Sequence, residues 1–378
     1  MTHALKEVHA DDHQTEIAPR KVRYFRRVDD MPDIPQSVRD ELREVEKRYV
    51  FRVNDYYLEL IDWDDSRDPI KQLIIPRMEE LKDWGELDAS NEAAVTVAKG
   101  VQHKYHDTVL LLCNEVCGAY CRYCFRKRLF MNENDEVSLD ISSGVEYIAR
   151  HSEVTNVLLT GGDPLLMSTR RLTEIFRALR AIPHVKIIRL GTKMPAFNPW
   201  RVLDDPRLLE LIAENSTPDR RIYVMTHFDH PRELTPAAVA GIAALKKVGA
   251  ETVNQCPMIK GVNDNVESLT TLFAQLSFIG CSQYYVFQGR PTKGNDPYKI
   301  PIVRAYNLFS KAVKSVSGLA KRARFVMSHA TGKIEVVGVD QAHIYMRYHH
   351  AKSSADEGRF LVFKRDDTAF WFDELVPA

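Results

Sequence analysis

The sequence lacks three features that would assign it to common classes of protein. It has no charge excess, because 52 lysines and arginines balance 52 aspartates and glutamates. This balance gives no reason to expect nucleic acid or an anionic membrane as a partner. It has no apolar run of the about 18 residues that a membrane-spanning helix needs. Its first residues are polar rather than basic and then apolar, so we expect no secretory signal and a cytoplasmic protein.

Cysteine is also scarce, with six in 378 residues, which is too few for a disulfide framework. Four of the six lie close together: Cys113, Cys117, Cys121 and Cys124. Thiols spaced this closely favour a zinc or iron–sulfur site over disulfides. Cys113 ends an apolar run, so we expect it in the core together with the isolated Cys256 and Cys281. The other three thiols then have no second cysteine pair to form an ordinary zinc site.

Short apolar runs recur along the middle of the chain, and amphipathic helical patterns separate them. The runs cover residues 108–113, 156–162, 186–192, 221–228, 251–257 and 283–289. Each is too short for a helix and apolar enough to be a strand buried on both faces of a parallel sheet. Several helical patterns begin with Ser, Thr, Asp or Asn, which cap helices. We therefore predict an α/β fold, either a doubly wound sheet or a barrel.

Polar groups follow these strands at the end where parallel α/β folds bind ligands. Gly161, Gly162, Asp163 and Pro164 follow the second strand, and THFDH with His227 and His230 follows the fourth. The two histidines could be metal ligands, although hydrogen bonding to a cofactor is favoured. Further along, Lys333 follows a glycine. Such a lysine is either a solvated loop residue or the covalent partner of pyridoxal 5′-phosphate (PLP).

The regions on either side of the barrel-like unit have different predicted secondary structure. Residues 1–95 predict a helical N-terminal unit, and residues 96–290 the barrel-like unit. Residues 291–378 predict a β-rich extension that covers the site, with hairpin strands in AHIYMRYHH, GRFLVF and TAFWFDEL.

The Cys-x3-Cys-x2-Cys spacing is similar to that of the radical S-adenosylmethionine (SAM) superfamily. Longer segments resemble the lysine 2,3-aminomutases within it, from about residue 95 to 340: VLLLCNEVCGAYCRYCFRKR, LLTGGDPLLM, THFDHPRELT, VNQCPMIKGVND and GRPTKG. The resemblance implies a partial (β/α)6 barrel of the radical SAM type, with a 4Fe–4S cluster, SAM and PLP. It also implies an isomerase that shifts an amino group from C2 to C3 of an amino acid.

The resemblance also implies roles for single residues. Cys117, Cys121 and Cys124 would ligate the cluster and leave one iron for SAM. The SAM pocket would contain Gly161, Gly162, Asp163, Pro164, His227 and Gln255. Lys333 would bind PLP, Tyr105 would pack on its ring, and Arg126 would hold the substrate α-carboxylate through its planar fork.

Four positions depart from the family's pattern. Arg290 and Val326 replace two aspartates that bind the far ammonium of lysine, and an arginine would repel that ammonium. Free lysine is therefore not the expected substrate, and an amino acid with an acidic side chain fits better. Lys104 and Thr108 stand where two arginines usually hold the PLP phosphate.

Two alternative functions stay open on the sequence. One is a radical SAM enzyme that acts without PLP on another small molecule, and the other is a non-catalytic metal-binding module. For the leading hypothesis we expect an electron donor such as a flavodoxin or ferredoxin, and a homo-oligomer. The sequence does not identify the substrate or its stereochemistry.

Overall fold

A computed structural model describes residues 17–32, 34–131 and 135–378, so the first sixteen residues of the predicted N-terminal unit lie outside it. No helix within these ranges has the length and apolar character needed to cross a bilayer. The strands, numbered along the chain, are β1 (Tyr24–Phe25), β2 (Val53–Asn54), β3 (Thr96–Ala98), β4 (Val101–Tyr105), β5 (Thr108–Asn114), β6 (Asn156–Gly161), β7 (Ile187–Gly191), β8 (Arg221–Thr226), β9 (Glu251–Pro257), β10 (Gln283–Phe287), β11 (Arg324–His329), β12 (Gly332–Val339), β13 (His343–Ala351) and β14 (Phe360–Lys364).

The six predicted barrel strands are confirmed as β5 to β10. They lie side by side in chain order, and each neighbouring pair is parallel. Side chains such as Val157, Leu159, Ile188 and Val224 are fully buried, as expected for strands covered on both faces. Parallel neighbours in chain order are typical of the predicted (β/α) barrel class.

The sheet continues beyond these six strands on both sides. β11 joins β10 as a further parallel strand, and β12, β13 and β14 follow in antiparallel order. On the other edge, β4 and β3 pair antiparallel to β5. Twelve strands therefore form one sheet in the described chain, and β1 pairs with β2 separately. The extension after residue 290 carries Lys333 on β12, inside this sheet rather than on a separate loop.

Helices separate the barrel strands and cover their outer face. They are α1 (Gln36–Arg48), α2 (Asp55–Leu58), α3 (Pro69–Ile74), α4 (Ser142–Arg150), α5 (Thr169–Arg180), α6 (Met194–Phe197), α7 (Trp200–Leu203), α8 (Pro206–Asn215), α9 (Pro236–Lys247), α10 (Val266–Phe278) and α11 (Ile302–Lys314). Asp205, Thr235 and Asn265 cap their helices as predicted, whereas α5 is capped by Ser168, one residue before the Thr169 at which its predicted pattern begins. α4 differs, because it begins after Ile141 without a side-chain cap.

The C-terminal hairpin prediction is partly wrong. AHIYMRYHH and GRFLVF form β13 and β14, which pair antiparallel. The segment TAFWFDEL forms no strand. Ala369, Phe370 and Trp371 are instead buried in the main core, and a short 3-10 helix, Phe372–Glu374, follows them. The consecutive apolar side chains are all taken into the core, which an alternating strand would not allow.

Contacts between distant strands curl the sheet into a barrel-like shape. The rings of Tyr105 on β4 and His350 on β13 stack with centroids 4.1 Å apart. Lys104 donates to the carbonyl oxygen of His329, and Ser90 Oγ donates to that of Ser328 at 2.9 Å. These contacts bring the extension on β11 to β13 against the edge that precedes β5.

Candidate active site

A cavity of about 670 Å³ lies inside the barrel. Its walls include alternate side chains of the strands, such as Thr108 and Leu110 on β5 and Leu158 and Thr160 on β6. It therefore reaches from the C-terminal ends of the strands to their N-terminal ends. It also brings together almost all of the predicted site residues: Cys117, Cys121, Cys124, Gly161, Gly162, Asp163, His227, Gln255, Lys104, Tyr105, Arg126, Arg290 and Lys333.

The cysteine loop leaves β5 and is anchored by the N-terminal unit. Tyr120 N–H donates to the carbonyl oxygen of Arg52, and Arg122 N–H to that of Leu73. The Arg122 side chain is fully buried and donates to both carboxylate oxygens of Glu80, at 3.0 Å from Nε and 2.8 Å from Nη2. Such a bidentate pair fixes the orientation of the loop as well as its position.

Three of the four clustered thiols face the cavity. Cys113 is the exception, because it is buried in the core with its sulfur 3.9 Å from the carbonyl oxygen of Thr160. Burial raises the pKa of Cys121 to about 12 and also raises the pKa values of Cys117 and Cys124. Cysteine sulfurs are the soft ligands that hold iron–sulfur clusters, and a bound cation favours their ionised form. The donor set therefore fits a metal cluster held by three thiolates.

No group of three or more His, Cys, Asp and Glu side chains in the described ranges converges on a point that would hold a single metal ion.

The glycine pair at the end of β6 fits tightly under the cysteine loop. Gly161 has φ +101°, a conformation that favours glycine. A Cβ on Gly162 would lie 2.4 Å from the carbonyl oxygen of Val116. Asn114 secures the crossing by donating to the carbonyl oxygens of Val116 and Asp163. The second glycine is thus required by the approach of the loop that carries the cysteines.

Asp163 lines the cavity, but its carboxylate is already engaged. Oδ1 accepts from Leu165 N–H and from Thr192 Oγ1, and Oδ2 accepts from Lys193 N–H at 2.7 Å. Burial raises its pKa to about 6 despite these donors. Its side chain therefore links the end of β6 to the end of β7. Pro164 does not line the cavity, since it begins a short 3-10 helix that Asp163 caps.

A buried charge network lies behind His227. Lys193 Nζ lies 2.7 Å from Asp229 Oδ2 and 2.6 Å from Glu233 Oε1. Tyr123 donates to Asp229, and His227 Nε2 lies 3.1 Å from Asp229 Oδ1. Burial opposes ionisation of Asp229, but Lys193 outweighs it and holds the pKa of this carboxyl well below its usual range. The network fixes His227 at the cavity wall.

His230 does not share this wall. It is buried outside the cavity lining, and its Nδ1 accepts from Arg232 N–H at the start of a 3-10 helix. The metal-pair interpretation of His227 and His230 is therefore wrong, because one of the two is a helix cap.

The predicted substrate arginine, Arg126, is bound by a carboxylate of the chain itself. Nε and Nη2 lie 3.2 and 3.1 Å from the two carboxylate oxygens of Glu92, and Nη1 donates to Thr160 Oγ1 at 2.9 Å. Arg290 Nη1 lies 3.4 Å from the same glutamate, and its guanidinium lies 3.7 Å from the centroid of the Phe125 ring. Burial opposes ionisation of Glu92, but these arginines outweigh it and hold its pKa well below the usual range.

The other end of the cavity contains Lys333 and several further cations. The Lys333 amine lies 4.4 Å from the centroid of the Tyr285 ring and 5.7 Å from that of Tyr105. It makes no hydrogen bond or ion pair with any residue that the structure describes. Burial and, after it, the charges of Arg189 and Lys104 lower its pKa to about 7. The cavity thus offers an amine that is partly unprotonated near neutral pH.

Comparison with known proteins decides the family. Residues 112–272 match the model of the radical SAM superfamily. A protein of Aquifex aeolicus (strain VF5), provisionally named L-lysine 2,3-aminomutase, is 51% identical over 94% of this chain and 96% of its own length. The L-lysine 2,3-aminomutase of Fusobacterium nucleatum is 35% identical over 71% of this chain and 60% of its own length. The glutamate 2,3-aminomutase of Clostridioides difficile is 30% identical over 76% of this chain and 67% of its own length.

The chain belongs to the lysine 2,3-aminomutase family. The predicted family and the predicted α/β barrel class are therefore confirmed. Membership makes the chain a radical SAM isomerase with a 4Fe–4S cluster and SAM as cofactors. Relatives named for lysine and for glutamate both match, so the family alone does not choose the substrate.

In this aminomutase, only one of the two residues that replace the family's lysine-binding aspartates, Arg290 and Val326, faces the cavity. Arg290 lines the cavity, whereas Val326 is fully buried and does not line it. Ser328, two residues further along β11, does line it.

Four charged residues near the cavity escaped sequence reasoning: Glu92, Lys193, Arg189 and Asp229. Asp229 stands inside the THFDHP segment, so it could have been singled out with its histidine neighbours. Glu92 and Arg189 are single charged residues in unremarkable contexts, and their importance depends on partners more than 30 residues away. No local pattern marks such residues.

Proposed function

We propose that this chain is an amino-acid 2,3-aminomutase that uses PLP in addition to the cluster and SAM, and that its substrate is not free lysine. The observation that carries the proposal is the single cavity. It contains the Cys117 loop at one end, Lys333 at the other, and the carboxylate-binding Arg126. Each group suits one of the components that such a reaction needs.

The surroundings of Lys333 support PLP as the missing cofactor. An amine adds to a carbonyl carbon only in its unprotonated form, and burial gives Lys333 a pKa of about 7. The aromatic rings of Tyr105 and Tyr285 have their centroids 5.7 and 4.4 Å from the amine, so a flat heterocycle bound there would have aromatic side chains to pack against. The amine has no competing carboxylate partner among the described residues.

When bound, the cluster and SAM supply a carbon radical that removes a substrate hydrogen atom, and PLP supplies a carbonyl carbon that holds the migrating amino group. Cys117, Cys121 and Cys124 would hold the cluster. The backbone at Gly161 and Gly162, with His227 and Gln255, would bind SAM, and Asp163 and Pro164 would shape that turn. Lys333 would hold and release the cofactor through its amine.

The arginines at Glu92 support a substrate with a second carboxylate. Arg126 binds the carboxylate of Glu92 in bidentate geometry, and a substrate carboxylate would take the place of Glu92 there. Arg126 and Arg290 line the cavity as two positive charges, whereas their carboxylate partner Glu92 is shared with Arg128, which also pairs with Glu136. The resulting field attracts an acidic side chain and repels the far ammonium of lysine.

The remaining predictions become part of the proposal. Residues 96–290 would contain the cluster and SAM site, residues 291–378 would complete the PLP and substrate site, and residues 1–95 would support the cysteine loop. A flavodoxin or ferredoxin would supply the single electron that starts each reaction. The enzyme would act as a homo-oligomer.

The test is anaerobic reconstitution of the protein with iron, sulfide, SAM and PLP, followed by a screen of amino acids with deoxyadenosine release and β-amino acid formation as readouts. We expect a cluster spectrum, a PLP adduct that borohydride fixes to Lys333, and turnover of an acidic amino acid. A cluster spectrum without any PLP adduct would favour a radical SAM enzyme that acts without PLP. A colourless zinc protein would contradict both enzymatic functions.

A further inference from the structure

Arg189 projects from the middle of the third barrel strand into the cavity, near Lys333. It lies on β7, and its Nη2 is 3.4 Å from Thr108 Oγ1 on β5. Its Nε is buried and has no hydrogen-bond partner in the described chain. Of the neighbouring charges, that of Arg189 lowers the pKa of the Lys333 amine most. A guanidinium placed in this way has donors to spare for a ligand.

Positive charge exceeds negative charge at this end of the cavity. Arg189, Lys104 and Lys333 line it, and Asp107 is the acidic residue that lines it with them. Asp107 already accepts from Thr108 Oγ1 at 2.8 Å. Glu92 and Asp163, the other acidic residues of the lining, are engaged with Arg126 and with the turn after β7. Asp107 therefore offsets part of the charge of Arg189, and the remaining positive charge inside the protein favours an anion.

A phosphate monoester fits this arrangement. It carries close to two negative charges and three acceptor oxygens, which a guanidinium fork and an ammonium group can bind. We propose that Arg189 binds the phosphate group of PLP, with Lys104 as a further cation of the same cavity lining. The subsite rests on the proposed function, since it assumes that PLP binds at Lys333. In this proposal the arginine that binds the phosphate lies on β7, whereas the family resemblance placed the phosphate-binding arginines at positions 104 and 108.

The test compares PLP with pyridoxal, which has the same reactive carbonyl but no phosphate. Apparent dissociation constants of both are measured by the absorbance of the Lys333 adduct in wild type and in Arg189→Met. We expect the variant to bind PLP about 10- to 100-fold more weakly, the usual effect of losing a charge-assisted hydrogen bond. Its affinity for pyridoxal should stay within about threefold. Inorganic phosphate should compete with PLP in wild type and much less in the variant.

Two further variants serve as a control and as an alternative to Arg189→Met. Arg207→Met removes an exposed arginine on the outer helix α8 and should leave both constants unchanged. Arg189→Lys keeps a cation in the interior, so it serves if Arg189→Met does not fold. It should bind PLP a few-fold more weakly than wild type because an ammonium lacks the planar fork.

The outcomes separate this inference from the proposed function. If wild type forms the Lys333 adduct with PLP but the Arg189 variants keep the wild-type preference for PLP over pyridoxal, the phosphate subsite is overturned and the aminomutase proposal stands. If wild type forms no adduct with either compound, PLP use itself is overturned, and the subsite with it.

Discussion

Lys333 is the residue whose chemistry depends most on its surroundings. Burial, followed by the charge of Arg189, lowers its pKa from 10.5 to about 7. The adduct with PLP should therefore form at a rate that rises with pH, reaches half its maximum near pH 7 and then levels off, because the unprotonated amine is the reactive form. Stopped-flow absorbance across pH 5.5 to about 9.5 measures this profile.

Other groups around the amine could shape the same profile, so they need a control. They are Arg189, Lys104, Arg290, His349, His350, Tyr105 and Tyr285. Lys104 matters most, because burial lowers its pKa to about 8 and it also lines the cavity. Lys333→Met reports any adduct that Lys104 forms. A wild-type midpoint above about pH 9 would contradict the lowered pKa of Lys333.

Arg290 is the residue that bears on substrate choice. Arg290→Gln removes its positive charge without placing a second carboxylate beside Glu92. We expect kcat/KM for an acidic amino acid to fall about 10- to 100-fold, while that for its neutral amide changes little, because only the acidic side chain uses the charge. Deoxyadenosine release with L-glutamate and L-glutamine measures both. An equal fall in kcat/KM for the two amino acids would show that Arg290 does not discriminate between charged and neutral substrate side chains.

The sequence predicts some of these residues well and others not at all. The three cysteines and Lys333 stand in motifs of fixed spacing, so their place in one cavity could be anticipated. Glu92 engages Arg126 across 34 positions and Arg189 reaches Thr108 across 81. Those pairings exist only after the barrel closes. The binding of Arg126 by a carboxylate of the same chain could not be read from the residues near it.

At the scale of elements, the contact between β6 and the cysteine loop sets the geometry of the cluster site. Gly162→Ala would place a methyl group 2.4 Å from the carbonyl oxygen of Val116. Because this oxygen belongs to the backbone, it cannot move aside as the end of a flexible side chain could. We expect the loop to shift, with a loss of about 1–3 kcal/mol in the free energy of unfolding and a clear fall in bound iron. Urea unfolding and iron content per chain measure the two effects.

Gly318→Ala is the matched control for this substitution. No heavy atom lies within 4 Å of the position that its Cβ would take. It should retain the iron content of wild type and change stability by less than about 1 kcal/mol. If Gly162→Ala behaved in the same way, the close approach of the loop would not control the cluster site.

The elements themselves follow from local patterns to different degrees. The six barrel strands could be predicted, because each is a short apolar run bounded by polar turns and their order follows from right-handed βα connections. TAFWFDEL has the same apolar character, yet it forms no strand. β14 bonds to the chain beyond it, since Lys364 N–H donates to the carbonyl oxygen of Val376. Phe370 and Trp371 are then free to fill the core.

At the scale of the whole molecule, Glu80 joins three parts of the chain. It lies in the N-terminal unit, is fully buried, and bonds to Arg122 and Lys127 of the cysteine loop and its continuation. Tyr298, from the segment that follows the barrel, donates to the same carboxylate at 3.3 Å. Burial opposes its ionisation, but Arg122 and Lys127 outweigh it and hold the Glu80 pKa below 4.5.

Glu80→Gln should therefore weaken the fold and the cluster site together. It leaves two buried cations without their shared counterion, for which a loss of about 3–5 kcal/mol in the free energy of unfolding is typical. Glu79→Gln is the control, because Glu79 is exposed and its one ion pair within the described ranges is with Arg77 at 3.4 Å. The control should lose less than about 1 kcal/mol and keep its iron.

The difference between wild type and Glu80→Gln should also depend on pH in a predictable direction. A carboxyl whose pKa is lowered by folding stabilises the native state fully above its unfolded pKa, near 4.5, and less as the pH falls toward the lowered folded value. The gap in stability should therefore be full at pH 7 and shrink on acidification, since glutamine does not titrate. Urea unfolding of both proteins at a series of pH values measures it. A gap that stayed constant down to about pH 3 would mean that the charge of Glu80 is not what connects the N-terminal unit to the cysteine loop.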